Sequence, residues 1–88
     1  MRTMTALVLY PKAGDSILFF DSTANYNLIG FVRVRKGGGN DTLFCFPDHI
    51  RIIRISVLRT LLRANALHEQ DLKIMLERAK EHFPNYFL

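Results

Sequence analysis

The chain has 88 residues, 49% apolar and 23% charged, with twelve Lys and Arg against eight Asp and Glu for a formal charge of +4. This composition excludes an intrinsically disordered protein and fits one globular domain. A lone cysteine, Cys45, excludes an internal disulfide and any multi-cysteine zinc site, so a reducing compartment is expected.

A chain of this size buries only about 60–65% of its unfolded surface, so its core is thin and self-association is expected. The basic balance permits an anionic partner such as nucleic acid. The apolar opening of residues 4–10 is stopped by Pro11, Lys12 and Asp15, short of a signal-peptide core. No apolar run approaches the roughly 20 residues of a membrane span. The expectation is a soluble, cytoplasmic protein with no membrane association.

Residues 5–10 are apolar at both parities, with Leu7 and Leu9 on one face and Val8 and Tyr10 on the other, which predicts a strand covered on both sides. Turn chemistry at Pro11-Lys12-Ala13-Gly14-Asp15 and a second strand over 16–20 predict a hairpin. Asp21-Ser22-Thr23-Ala24-Asn25 is a polar connection able to close Asx or ST turns. A third strand follows over 26–35, with a bulge or bend at Gly30. Beyond Gly30, Val32 and Val34 take one face and Arg33 and Arg35 the other. A solvated strand face is the first reading of those arginines, and a phosphate-facing pair the second.

Lys36-Gly37-Gly38-Gly39-Asn40-Asp41 predicts a flexible hairpin tip rather than a phosphate loop, because a strand and not a helix follows. That fourth strand, 42–46, sets Phe44 and Phe46 on one face and Cys45, expected as a buried inert thiol, on the other. Pro47-Asp48-His49 turns the chain into a fifth strand, 50–54, again apolar at both parities. The first and fifth strands thus both want cover on two sides, which one sheet and a small helical layer do not supply. A second copy of the chain is the economical source.

The rest predicts a helical hairpin. Val57, Leu58, Leu61 and Leu62 mark a first helix from residue 55, with Ser56 near its start as the expected cap. The pattern lapses around Ala64-Asn65-Ala66. A second helix is predicted over 68–82, with Leu72, Met75, Leu76, Ala79 and Phe83 on one stripe, Glu69 and Asp71 in the first turn, and Pro84 as terminator. The tail Phe83-Pro84-Asn85-Tyr86-Phe87-Leu88 is too apolar to remain in water. The organisation is therefore a β region, 1–54, and a helical extension, 55–88, within a single domain.

Two segments resemble the carbon storage regulator family, also called repressors of secondary metabolism: small bacterial RNA-binding regulators of translation. Leu7-Val8-Leu9-Tyr10-Pro11-Lys12-Ala13-Gly14-Asp15-Ser16-Ile17 resembles the family's first strand, turn and second strand. Phe46-Pro47-Asp48-His49-Ile50-Arg51-Ile52-Ile53-Arg54 resembles its proline turn and last strand ending in a functional arginine. The resemblance covers roughly residues 6–58. It implies a mainly β fold with C-terminal α structure: an intertwined homodimer of five-stranded antiparallel chains, the first strand of one subunit beside the fifth of the other. It also implies two equivalent sites for GGA-containing loops of messenger or small RNA. Leu9 and Ile52 match apolar site positions and Arg54 the family's arginine, with Lys12 and Arg51 at the rim. No cofactor is implied.

A second reading keeps the dimer but uses the helices and tail to engage a protein; Pro11 and Phe46, which depart from the family pattern, favour it. A helix-turn-helix over 57–83 is disfavoured because Glu69 and Asp71 would face DNA phosphates. Catalysis has little support, since His49, His68 and His82 occupy three different contexts with no metal spacing and Cys45 lies in an aromatic strand.

Overall fold

The computed structural model describes residues 4–9, 14–34 and 42–88, with 4–9 and 42–45 described by their backbone pairing. In chain order these are β1 (Met4–Leu9), β2 (Ser16–Asp21), a 3-10 turn (Ser22–Ala24), β3 (Asn27–Arg33), β4 (Thr42–Pro47), β5 (Ile50–Arg54), α1 (Ile55–Arg63), α2 (Gln70–His82) and a last 3-10 turn (Pro84–Phe87). They build a small mixed domain: an antiparallel three-stranded sheet in the order β3-β2-β5, two helices, and a ribbon of β1 with β4.

β2 is the central strand because its unbroken run Ile17-Leu18-Phe19-Phe20 needs cover on both faces, and all four residues are buried. Leu18 and Phe20 point to the helical side, where they join Ile55 and Leu58 of α1 and Met75, Leu76 and Ala79 of α2 in the core. Ile17 and Phe19 take the opposite face, where the Phe46 ring lies 5.1 Å from that of Phe19. On β5, Ile53 stands opposite Leu18 and Ile52 opposite Phe19, so the strand's two apolar parities serve the two faces.

The pairing corrects two sequence expectations. β1 pairs with β4, Leu7 opposite Phe44, so no hairpin joins β1 to β2. Within one chain the strands consequently fall into two sheets rather than one of five strands. The physical reason lies in β2: as the most apolar strand it takes β3 and β5 as neighbours, which leaves β1 and β4 to each other. The glycine-rich loop at 36–41 lies outside the described residues. Among the described residues the strands on either side of it, β3 and β4, are not neighbours. The β3–β2 register does shift between Phe19 and Phe20, opposite the Gly30 region where a bulge is expected.

The helices follow their apolar stripes. In α2, Met75, Leu76 and Ala79 are buried, while Leu72 and Phe83 pack on the core beside them. α1 ends in a Schellman motif: Asn65, at φ 52°, donates its N–H to the Leu62 carbonyl (3.1 Å), and Ala66 donates to that of Leu61 (2.9 Å). This is where the helical pattern lapses. The tail packs back on the domain, with the Phe83 and Phe31 rings edge to face at 5.1 Å. Among the described residues no helix is long and apolar enough to cross a membrane.

Candidate nucleic-acid interface

The site is built around Asp15. Gly14, at φ 86°, donates its N–H to the Val34 carbonyl (3.0 Å), and Val34 donates to the carbonyl of Asp15 (2.9 Å), which fixes the entry to β2 against the exit of β3. The buried Asp15 carboxylate then accepts three hydrogen bonds: from Ser16 N–H (2.8 Å), Ser56 N–H (3.2 Å) and the Ser56 hydroxyl (2.6 Å). Ser56 is therefore not the cap of α1. The helix begins at Ile55, with Arg54 in the cap position making no side-chain capping bond, and the Ser56 N–H of its first turn is met by a carboxylate 41 residues away in sequence. Serine lost that role because it stands one residue inside the helix, where its hydroxyl serves as a donor.

Arg54 ends β5 opposite Ile17 and lines a cleft of about 580 Å³ with Gly14, Asp15, Ser56, Arg59 and Tyr86 among its walls. The Arg59 guanidinium sits 4.2 Å above the Tyr86 ring centroid, a stacking that anchors the tail to α1 and holds a cation at the cleft wall. Among the described residues of this lining Asp15 is the one acidic side chain, so its charge is outnumbered by those of the two arginines.

The other candidate residues lie elsewhere. Arg51 falls on the opposite parity, across from Phe20, and pairs with Asp71 of α2 at 3.4 Å on the surface. Asp71 also accepts a hydrogen bond from the Tyr26 hydroxyl, which, with partial desolvation, raises the Tyr26 pKa above its usual 10.0. Ile52 is half-buried opposite Phe19. Leu9 pairs with Thr42 through its backbone. The side chains of Leu9 and Cys45 lie outside the described residues, as do Lys12 and Arg35.

No protein-family model, curated protein or solved structure matches this chain.

Arg59 is not marked out by the sequence, and Tyr86 only as part of a tail suited to a protein partner. A signal for Arg59 exists: Ser56, Arg59, Thr60 and Arg63 recur at helical spacing and form the polar face of α1. Tyr86 is visible only as one aromatic in an apolar tail. The histidines keep apart. The His49 carbonyl accepts from both the N–H (2.9 Å) and hydroxyl (2.7 Å) of Ser22, and His82 Nδ1 lies 3.1 Å from the Arg78 carbonyl within α2. Among the described residues no group of three or more His, Cys, Asp or Glu could hold a metal ion.

Proposed function

We propose that this chain is an RNA-binding translational regulator of the carbon storage regulator type, acting in the cytoplasm as a homodimer on GGA-containing loops of messenger or small RNA. It works by occupying a ribosome-loading sequence and not by chemistry. The observation that carries the reading is the cleft at the β5–α1 junction, where Arg54 and Arg59 flank an aromatic ring: cations for phosphate and a flat surface beside them, as unpaired RNA requires. In this reading Arg54 makes the direct contact, Leu9 and Ile52 supply apolar strand positions, and Lys12 and Arg51 add to the outer field. A second copy completes the two-sheet arrangement as an intertwined dimer.

The test is a gel shift on a GGA stem-loop. Arg54→Ala weakens binding by about 1–3 kcal/mol, roughly 5- to 150-fold, with circular dichroism unchanged. Equal affinity of the variant and the parent removes Arg54 from the interface.

A second reading has a specific observation in its favour. Ile29, Phe31 and Val32 on β3 are 52%, 49% and 46% exposed, an apolar edge suited to a protein partner. In that reading the fold is a dimeric interaction module that has lost RNA binding, with the helices and tail adding to the contact. Absence of binding to a random RNA pool at low salt, by a folded sample, selects it.

A further inference from the structure

A second cleft, of about 550 Å³, adjoins the Arg59–Tyr86 stack. Its walls include Arg33 from β3, Arg59 from α1, His82 and Phe83 at the end of α2, and Tyr86 from the tail. Arg59 and Tyr86 line both clefts, so the stacked pair is a shared partition between them. The strand register explains how Arg33 arrives there. Phe31 and Arg33 share a parity, Phe31 stands opposite Leu18 on the helical side, and its ring meets that of Phe83. Arg33 is thereby carried to the same tail-covered surface, while Val32, opposite Ile17, faces the other way.

The charges along this surface are mostly positive. Arg54, Arg59 and Arg33 come from three different elements, His82 adds an imidazole, and among the described lining residues Asp15 is the one acidic side chain, its oxygens turned to serine donors. Between the outer arginines stand Tyr86 and Phe83. Cations set apart by aromatic surface are the pattern that accommodates a single strand, with successive phosphates at the cations and bases against the rings. A compact anion such as inorganic phosphate would use one cleft and leave the other without purpose.

We infer that the two clefts form one continuous track for a single RNA strand, running from Arg54 over the Arg59–Tyr86 partition to Arg33. This rests on the RNA-binding reading and deepens it, since it assigns Arg33 and the C-terminal tail to the interface and requires a ligand longer than one cleft holds.

The experiment is fluorescence anisotropy with a labelled, unstructured octaribonucleotide over a series of salt concentrations. Arg33→Gln and Arg54→Gln each weaken binding several-fold and flatten the salt dependence by about 0.7 in slope, the loss of one phosphate contact on a single strand. The double variant flattens it by about twice as much. Arg33→Lys restores the slope, which separates charge from folding. Tyr86→Leu, which keeps an apolar anchor in the tail, weakens binding while leaving the slope unchanged. A flattened slope for Arg54→Gln with the parental slope for Arg33→Gln overturns the track and leaves the RNA reading at the first cleft standing. Failure of the parent protein to bind the octamer at low salt overturns both.

Discussion

Asp15 ties three elements of the fold together. Its two oxygens and its carbonyl join the start of β2, the end of β3 and the start of α1. Asp15→Ala strips the helix of its distal cap and leaves the part-buried Ser56 hydroxyl without its acceptor, at a cost of about 1–3 kcal/mol. Urea denaturation measures this as a lower midpoint at constant slope. Asp15→Asn retains an acceptor oxygen and loses less. The sequence shows Asp15 only as an acid after a glycine, a turn residue by local rules. Ser56, with a serine's preference for helix starts, attracts the cap assignment instead. Local rules assign a cap to the nearest competent side chain, and a donor-acceptor pair spanning 41 residues falls outside their reach.

At the scale of elements, legibility follows locality. The α2 stripe and the end of α1 at Asn65 come directly from spacing and from a residue tolerant of positive φ. Strand positions come through as well, because runs such as Ile17-Leu18-Phe19-Phe20 are distinctive. Strand pairing does not, since β1 is also apolar at both parities and adjacency in sequence argues for a hairpin that the central placement of β2 forbids. One contact between elements is testable by pH. The Tyr26 hydroxyl ties the β2–β3 connection to Asp71 of α2, and its pKa is raised chiefly by that hydrogen bond. A folded-state pKa above the unfolded value of about 10 means the tie contributes fully below pH 10 and is lost as pH rises through the raised value. Thermal melts therefore show a falling melting temperature on the alkaline side, and Tyr26→Phe lowers the neutral value while flattening that limb. An unchanged alkaline limb in the variant shows that another group titrates there.

For the molecule as a whole, the thin core and the half-exposed β3 side chains Ile29 and Val32 both point to self-association. Light scattering is expected to give twice the chain mass without RNA and that mass plus bound RNA with it, and Val32→Asp is expected to lower the mass toward that of one chain if β3 lies in the interface. A monomer at micromolar concentration removes the dimer from the proposed function. The candidate site was only partly legible at this scale. Arg54 is marked by its place at the end of an apolar strand. Arg59, Tyr86 and Arg33 come from a helix, a tail and a distant strand, and their meeting depends on how the tail folds back, which no local pattern encodes.

The carboxylate that closes the start of α1 also bears on the order in which the chain acquires structure. α1 has nine residues, too few to persist in water unaided. The carboxylate that meets its Ser56 N–H is delivered by the entry to β2. The helix therefore gains this partner only when the ends of a 41-residue span have met, and that closure costs entropy before the contact rewards it. The start of α1 is consequently tied to the entry of β2, and the β5–α1 junction, with the cleft it bounds, is expected to lose its order together with the sheet.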